Sequence, residues 1–546
     1  MITRDLGIPP SKMKRHPFPR FLTIHLVAVL VLSISDGGFA AQDAGSPQIP
    51  GGEAVEGKGV WLDPSIENAS DGPLRVTVWF DRQFLGDGKA YERRAREFAG
   101  MGRRELRTRT VALLKQLSER SHAAAKDALD ERLGKGEIRD LERHWIVNSF
   151  SCTTDAAGAR GLAAIPGVKK IFNTRDKLPF PRTDLPPETT TVKPAIRVTK
   201  PVTENLPWNI PLVQADRVWK EYGVAGDGTL NVINDANFNL SPSNSSSIYQ
   251  NPGEIPDNGI DDDGNGLVDD SHGYNFHLRS AMLTTQELTG GENDKRILHG
   301  NNCANILCGS ATGGVARQFG IAPLGRWAAV ISAPEIRTTG FIESAVEWAI
   351  DHQADTYSMS YSIPDLGEFR SHWRKLMEQG SFCGVYFVSG AGNYGQSEKV
   401  PTQMRVPEDI PGAVFASAGI QRDLSRSPFS SMGPVEWLTE HYREGIVAKP
   451  DVCAFSTKLP LLLPDGTVRE DLLNGNSYSG PMLGGIIALM LSADPDLLPW
   501  DAREIILETA TDVGLPGVDF ETGHGLINCY KAVGEVLRRK KQRESK

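Results

Sequence analysis

The chain has 546 residues, of which 40% are hydrophobic and 23% are charged, and its net charge is −9. This composition is ordinary for a globular protein, and the length exceeds what one hydrophobic core supports, so we expect a large domain and at least one smaller one. The negative net charge offers no basic surface for nucleic acid, and we predict no nucleic-acid partner.

The first 40 residues have the pattern of an export signal. Basic residues come first, the apolar run 21–34 follows, and Gly38-Phe39-Ala40 supplies a small-residue cleavage site. The apolar run has 14 residues and contains His25, which makes it shorter than the roughly 20 residues that a membrane-spanning helix needs. We therefore predict an exported protein, secreted or periplasmic, with no membrane span once the signal at 1–40 is removed.

Residues 41–182 divide into a linker and a small α+β domain. The Gly-, Pro- and Ala-rich stretch 41–65 lacks periodicity and is predicted to be a linker. Within 66–182, Leu74-Arg75-Val76-Thr77-Val78-Trp79-Phe80 alternates as a half-buried strand does, and 91–133 is a long charged stretch typical of a helix. Two further strands are predicted at 144–152 and 169–172, the second after the turn Ile165-Pro166-Gly167-Val168.

The rest of the chain indicates a larger α/β domain. Residues 183–205 are rich in Pro and Thr and predict an extended linker. Across 206–537, apolar strands alternate with helices, which favours a doubly wound, mostly parallel sheet covered on both faces. The strand candidates are 228–233, 327–332, 355–360, 384–389 and 413–418, with helices at 341–352 and 369–379 between them. The basic tail 538–546 is predicted to be a solvated, frayed terminus.

Six cysteines, at 152, 303, 308, 383, 453 and 529, are too few to hold a chain of this size together by disulfides. None of them forms a CxxC pair. Cys303 and Cys308 are five residues apart in a predicted helix and lie off a shared face, so they are poorly placed to bridge or to share a zinc. We predict buried, small apolar residues at these positions and leave their pairing open.

Four polar motifs follow strands or open helices in the larger domain. They are Val232-Ile233-Asn234-Asp235, His299-Gly300-Asn301-Asn302-Cys303-Ala304-Asn305, Val388-Ser389-Gly390-Ala391-Gly392-Asn393 and Asn474-Gly475-Asn476-Ser477-Tyr478-Ser479-Gly480. Ligands of parallel sheets bind beyond the carboxyl ends of the strands, which is where these motifs fall. Ser477 stands before an apolar helix, where it would serve either as a simple N-cap or as a nucleophile presented beside unpaired backbone N–H groups.

In this order the motifs resemble the subtilisin family (subtilases), whose patterns run "VIDTG", "HGTHVAG", "AAGN" and "GTSMAAP". The resemblance covers about 206–536 and implies a serine endopeptidase that cuts polypeptide substrates. It assigns Ser477 as the nucleophile, His299 as the general base and Asn393 as the side-chain donor to the oxyanion. The stretch 165–172 likewise resembles the inhibitory prodomain of secreted subtilases, which implies a zymogen whose own prodomain is its inhibitor.

The chain departs from the family pattern at the residue that orients the histidine. Alignment on Val232-Ile233 places Asn234 where the family has aspartate, and neighbouring side chains on a strand point to opposite faces, so Asp235 could replace it only through a local bulge. Asn302 also stands where the family has a second histidine. Two functions therefore remain open: a peptidase attenuated by Asn234, or a degenerate homologue that binds peptides or partners without cutting them.

An acidic stretch, Asp261-Asp262-Asp263-Gly264-Asn265-Gly266-Leu267-Val268-Asp269-Asp270, has the spacing of an EF-hand calcium loop. Oxygen ligands would come from Asp261, Asp263, Asn265 and Asp269, although His272 stands where such loops carry a bidentate Glu. The alternative is a solvated acidic loop. We favour a structural calcium ion, because an unneutralised cluster of aspartates repels itself.

Overall fold

The computed structural model describes residues 52–69, 72–86, 88, 90–176, 178, 200–201, 203–238, 240, 247–283, 299–309, 319–332, 339–462 and 468–545. The predicted export signal and most of the predicted linker at 183–205 lie outside these residues. Among the helices that are described, none has both the length and the apolar character required to cross a membrane.

The N-terminal domain contains a five-stranded sheet and a long helix. Its strands are β1 (Glu53–Ala54), β2 (Trp61–Leu62), β3 (Leu74–Phe80), β4 (Arg82–Gln83), β5 (Arg139–His144), β6 (Ser149–Thr154) and β7 (Val168–Asn173). Its helices are α1 (Pro64–Glu67), α2 (Ala90–Glu97), α3 (Arg103–Gly134) and α4 (Ala156–Gly161), the last followed by a 3₁₀ turn at Leu162–Ala164. The sheet order is β2-β7-β3-β6-β5, and the buried residues of β3 pack against α3.

Two predictions for this domain need correction. Residues 53–65 are not a linker, because β1 pairs with β4 and β2 pairs with β7, which ties this stretch into the domain. The stretch 91–133 is not one helix. It is interrupted between Glu97 and Arg103, where Gly100 adopts a φ of +94° that other residues rarely take.

The larger domain is built on a seven-stranded parallel sheet in the order β16-β13-β12-β11-β8-β10-β9. These strands are β8 (Leu230–Asn234), β9 (Gly273–Asn275), β10 (Arg326–Ile331), β11 (Thr356–Met359), β12 (Tyr386–Gly390), β13 (Val414–Ile420) and β16 (Val452–Phe455). Four short strands form two hairpins outside the sheet: β14 (Val435–Leu438) with β15 (Arg443–Val447), and β17 (Leu459–Leu462) with β18 (Val468–Leu473). The five strands predicted from apolar runs are all confirmed, whereas β9 and β16 were not predicted.

Helices cover the sheet, as the alternation of strands and helices predicts. They are α5 (Asn209–Leu212), α6 (Ala215–Arg217), α7 (His299–Cys308), α8 (Ile342–Asp351), α9 (Arg370–Phe382), α10 (Ser479–Ala493), α11 (Pro499–Thr509) and α12 (Cys529–Glu544), with a π turn at Val218–Tyr222 and a 3₁₀ turn at Gly367–Phe369. The prediction of a frayed basic tail from residue 538 is wrong up to Glu544. The α12 helix continues through it, and Arg539 forms ion pairs with Glu504 and Glu508 of α11.

One hydrophobic cluster spans both domains, in addition to the separate cluster between the N-terminal sheet and α3. Trp79 and Leu106 of the N-terminal domain are fully buried in the cluster that also contains the residues of β12. Polar contacts accompany the apolar ones. The Trp79 indole N–H donates to His372 Nδ1 on α9 at 2.8 Å, and Glu347 on α8 accepts hydrogen bonds from the backbone N–H groups of Trp145 and Ile146.

Candidate active site

Asp235 and His299 form the first part of the site, at the carboxyl end of β8. His299 Nδ1 lies 2.7 Å from Asp235 Oδ2, and the other carboxylate oxygen, Oδ1, accepts from the backbone N–H of Ala236 at 2.8 Å. The Asp235 side chain is 7% exposed and that of His299 is 29% exposed, so the pair lies at the border between core and cleft. Burial alone would lower the pKa of His299, but the charge and hydrogen bond of Asp235 outweigh it and the pKa lies above its usual value.

Asn234 does not contact His299, which corrects the residue assignment made from the sequence. Its amide lies on the opposite face of β8, where it donates to the hydroxyls of Ser332, Tyr357 and Tyr361 at 2.8–3.0 Å. No bulge is needed to bring Asp235 into place, because β8 keeps an unbroken parallel register with β10 and β11 through Asn234. Because successive side chains on a strand point to opposite faces, Asp235 faces His299 and Asn234 does not. The residue that contacts the histidine is therefore one position later than the alignment on Val232-Ile233 implied.

Ser477 lies on the turn that leads into α10. Tyr478 takes the N-cap position of that helix without a capping side-chain hydrogen bond, so the helix start does not use the Ser477 hydroxyl as its cap. Gly475, two residues earlier, has a φ of +144°, a conformation that side chains other than glycine rarely adopt. A residue that follows β11 stabilises this turn, because Ser360 Oγ donates to the backbone carbonyl oxygen of Ser477 at 2.8 Å.

Asn393 and Ser477 converge on one small space beside Gly475. A Cβ atom placed on Gly475 would lie 3.8 Å from Asn393 Nδ2 and 3.9 Å from both the backbone nitrogen and Oγ of Ser477. The side-chain amide oxygen of Asn393, Oδ1, accepts from the backbone N–H of Asn476 at 2.8 Å. This hydrogen bond turns the NH₂ group of Asn393 toward that space. Two N–H donors and one hydroxyl therefore border a volume that is open only because residue 475 is glycine.

Cys303 connects the two halves of the site. Its sulfur lies 3.4 Å from the Ser477 carbonyl oxygen, 3.4 Å from Ser360 Oγ and 3.9 Å from Asp235 Oδ2. Burial, and then the negative charge of Asp235, raise the pKa of this thiol well above its usual value, so it stays protonated. All six cysteines are buried and free of disulfides, as the interpretation of them as small apolar residues implied.

Tyr478 narrows the site on the side of the histidine. Its ring centroid lies 5.8 Å from that of His299, and the residue is 6% exposed. Asn302, which stands where the family has a second histidine, is 1% exposed. His299 thus lies beside Asp235 and the Tyr478 ring, and Asn393 lies beside Ser477. Asp235 occupies the place expected for Asn234.

The acidic loop lies away from this site and contains two groups of side chains that could hold a metal ion. Glu254, Asp261 and Asp263 form one group, and Asp263, Asp270 and His352 form the other, each with ligand atoms within 4.8 Å of one another. Asn265 lies between the carboxylates, since its NH₂ group donates to Asp270 Oδ2 at 2.9 Å.

Asp269 is not part of either group, contrary to the prediction. Its two carboxylate oxygens accept from the backbone N–H groups of Asn258 and Gly259 at 3.0 and 2.9 Å. Glu254 and Asp270 take part instead. Asp270 is the residue next to the predicted ligand, whereas Glu254 precedes the motif and no spacing rule indicated it.

Comparisons with known proteins agree with this arrangement. The Subtilase family (Peptidase_S8) matches residues 255–525, a range that includes His299, Asn393 and Ser477 and begins after Asp235. Bacillopeptidase F of Bacillus subtilis is 23% identical over 454 residues, 79% of this chain and 29% of that protein. Subtilisin DY of Bacillus licheniformis is 29% identical over 203 residues, 37% of this chain and 65% of that protein. The chain thus spans less than two thirds of either relative.

A solved structure was also found, the crystal structure of MycP1 with the N-terminal propeptide removed. It covers 60% of this chain and 97% of its own, at 19% identity and a TM-score of 0.43.

The parallel sheet, with aspartate, histidine and serine on separate segments at its carboxyl edge, defines a subtilisin-like α/β protein. Residues 255–525 match the family model of the subtilases, so this part of the chain is similar to that family.

Proposed function

We propose that this protein is a serine endopeptidase in which Ser477 is the nucleophile, His299 the general base and Asp235 the residue that orients it. The observation that carries the proposal is the 2.7 Å hydrogen bond between Asp235 and His299, next to the space bordered by Ser477 and Asn393. In a Ser-His-Asp arrangement, the carboxylate accepts the Nδ1 proton, so that Nε2 is free to take the proton of the serine.

The chemical steps follow from these positions. Ser477 Oγ attacks the carbonyl carbon of the scissile peptide, and His299 accepts its proton and then returns it to the leaving amine. The carbonyl oxygen becomes negatively charged in the tetrahedral intermediate. Asn393 Nδ2 and the Ser477 backbone N–H would stabilise it as preorganised donors in the space beside Gly475.

Asp235 removes the reason for expecting an attenuated enzyme. The alternative of a homologue that binds peptides without cutting them depended on asparagine in the orienting position, and Asn234 lies on the other face of the strand. We therefore propose an ordinary level of peptidase activity in preference to the binding-only alternative.

The direct test is covalent labelling by a fluorophosphonate probe, which reacts with an activated serine. We expect the protein to be labelled after removal of the N-terminal domain, with labelling absent in Ser477→Ala and unchanged in Ser492→Ala, a half-buried serine elsewhere on α10. A mature, folded protein that neither takes the label nor cuts a peptide library would contradict the proposed activity.

We also propose a calcium site in the acidic loop, held by Glu254, Asp261, Asp263 and Asp270. All of these ligand atoms are carboxylate oxygens, the donors that calcium prefers. Glu254 is 6% exposed, and its carboxylate oxygen Oε2 has no hydrogen-bond partner among the described residues. An unpaired buried carboxylate oxygen facing two other carboxylates is costly unless a cation joins them.

We further propose that the N-terminal domain is the inhibitory prodomain of an exported zymogen. After β7 the chain is bound to the carboxyl edge of the large sheet, because Thr339 donates from its N–H and its hydroxyl to Asp176 Oδ1 at 2.5 and 2.8 Å. Thr339 follows β10, whose carboxyl end lies beside that of β8. If an intact chain cuts peptides as fast as one cleaved within 183–205, the inhibitory role is wrong.

A further inference from the structure

A buried carboxylate that takes no part in the proposed mechanism lies beside the active site. It belongs to Glu408, which is 0% exposed. The segments that follow β11 and β12, residues 360–362 and 391–393, are neighbours at the carboxyl edge of the sheet and form two walls. The crevice between adjacent segments at this edge is where parallel sheets bind ligands, and Glu408 lies at its inner end.

Glu408 touches both walls. Its Oε1 accepts from Ser362 Oγ at 2.6 Å and from the backbone N–H of Arg405 at 3.1 Å. The same oxygen would lie 3.0 Å from a Cβ atom at Gly392, so the second wall leaves room for the carboxylate only because residue 392 is glycine. Asn393, which follows Gly392, is the proposed oxyanion donor, so the carboxylate packs against the residue that precedes this donor.

Its other oxygen is unsatisfied. Glu408 Oε2 is buried and has no hydrogen-bond partner. A buried carboxylate oxygen without a donor is costly, and it persists in folded proteins mainly where a ligand or a reaction requires it. A residue that only filled the crevice would be apolar, whereas this one presents an acceptor.

We propose that Glu408 selects a lysine or arginine side chain in the residue whose carbonyl group is attacked. This inference rests on the proposed peptidase activity and specifies its substrate class. An ammonium or guanidinium group entering between the two walls supplies the donors that Oε2 lacks, and the resulting charge-assisted hydrogen bonds are stronger than neutral ones.

The electrostatic surroundings make this recognition dependent on pH. Burial, and to a lesser degree the adjacent Asp409, raise the pKa of Glu408 to about 8, while the hydrogen bond from Ser362 acts in the opposite direction. Asp409 is itself paired with Arg370 at 2.7 Å. The Arg405 guanidinium is engaged elsewhere, stacked on Tyr394 and paired with Glu398 at 3.0 Å. Among the described residues, no cationic side chain bonds to the Glu408 carboxylate. A lysine or arginine side chain of the substrate would therefore be the first cation to pair with it.

The test compares two peptide substrates that differ only in arginine or leucine before the scissile bond. We expect the wild type to prefer arginine, and Glu408→Gln to lower kcat/KM for the arginine peptide by about 10²-fold while changing the leucine peptide little. Glu436→Gln, which removes the same charge from an exposed residue, is the matched control. For the arginine peptide only, kcat/KM should also fall as the pH drops below about 8, and this dependence should vanish in Glu408→Gln.

The outcomes separate this inference from the proposed activity. If the wild type takes a fluorophosphonate label and cuts peptides but shows no preference for arginine, the role of Glu408 is wrong and the peptidase assignment stands. An equal arginine-to-leucine ratio in the wild type and in Glu408→Gln leads to the same conclusion. If Ser477 is not labelled at all, the proposed peptidase activity is wrong.

Discussion

The carboxyl edge of the large sheet and the interface with the N-terminal domain both bury charged groups. The two regions differ in how completely those groups are hydrogen-bonded. At the interface, Arg103 is 6% exposed and donates to Asp355 Oδ1 at 2.6 Å and to the carbonyl oxygens of Gly384 and Pro495. Asp355 uses its other oxygen to accept from the backbone N–H of Leu230 at 2.8 Å. Every charge of this pair is thus matched by a partner within the protein.

At the carboxyl edge, several polar atoms have no such partner. Glu408 Oε2 is buried and unpaired, and the exposed Asn393 side chain has its Nδ2 beside the space at Gly475. Folding alone favours complete pairing, because an unmatched buried polar group costs free energy. The Arg103–Asp355 pair is therefore matched within the protein, whereas Glu408 Oε2 keeps an unused hydrogen-bond acceptor.

The largest expected effect is at Asp235. Asp235→Asn should lower kcat/KM by about 10⁴-fold, the scale known for the same change in a trypsin-type triad, because asparagine loses the charge that stabilises the imidazolium. Thermal unfolding should show that the variant is folded.

The matched control for Asp235 is its neighbour. Asn234→Asp should leave kcat/KM within a few fold of the wild type while lowering the free energy of unfolding by about 1–3 kcal/mol, since it buries a charge among three hydroxyls. Higher activity in Asn234→Asp, with Asp235→Asn unaffected, would return the orienting role to residue 234.

The interface provides the second prediction. Arg103→Ala should lower the free energy of unfolding by about 3–5 kcal/mol, because it leaves Asp355 buried without its cation. Lys115→Ala removes another ion pair between the domains, but Lys115 and Asp351 are 46% and 43% exposed, so the loss there should be about 0–1 kcal/mol. Equal losses in urea unfolding would show that burial does not distinguish the two pairs.

The third prediction concerns the oxyanion space. Asn393→Ala should reduce kcat by about 10²–10³-fold, the range measured for the corresponding asparagine in subtilisin, with little change in KM. This result is expected because the donor acts on charge that develops only in the transition state. A rise in KM at unchanged kcat would assign Asn393 to ground-state binding.

Calcium should stabilise the folded protein. At a concentration about 100 times its Kd, an ion that binds only the folded state adds about 2.7 kcal/mol to the free energy of unfolding. Glu254→Gln should weaken the calcium-dependent rise in Tm. Asp262→Asn, in the same loop but outside both carboxylate groups, should retain it. A Tm unaffected by millimolar calcium in the wild type would dismiss the site.

The smallest expected effect is in the pH profile. His299 must be neutral to act as a base, and its raised pKa means that kcat/KM increases with pH through a value above 6.5 and is lost below it. Replacing Asp235 by Asn removes the influence that raises this pKa, so the acid limb should move to lower pH. An acid limb that stays in place would show that another group controls the profile.

Much of the fold could be predicted from the sequence, because apolar runs and their alternation with helices depend on local burial patterns. These patterns predicted the five central strands, and the order of the four motifs indicated His299, Asn393 and Ser477 as candidate site residues. Strands β9 and β16, with three and four residues, were not among the predicted runs.

Tertiary structure decided what local patterns do not contain. Which of Asn234 and Asp235 faces His299 depends on how β8 is oriented toward α7, and a shift of one residue reverses every side chain on a strand. Glu254 stands seven residues before Asp261 but outside the spacing of the motif, and Glu408 lies 46 residues after Ser362, which donates to it, so folding decided that both carboxylates lie where they do. The sequence by itself determined the class of chemistry, while long-range packing determined which carboxylates are available to take part in it.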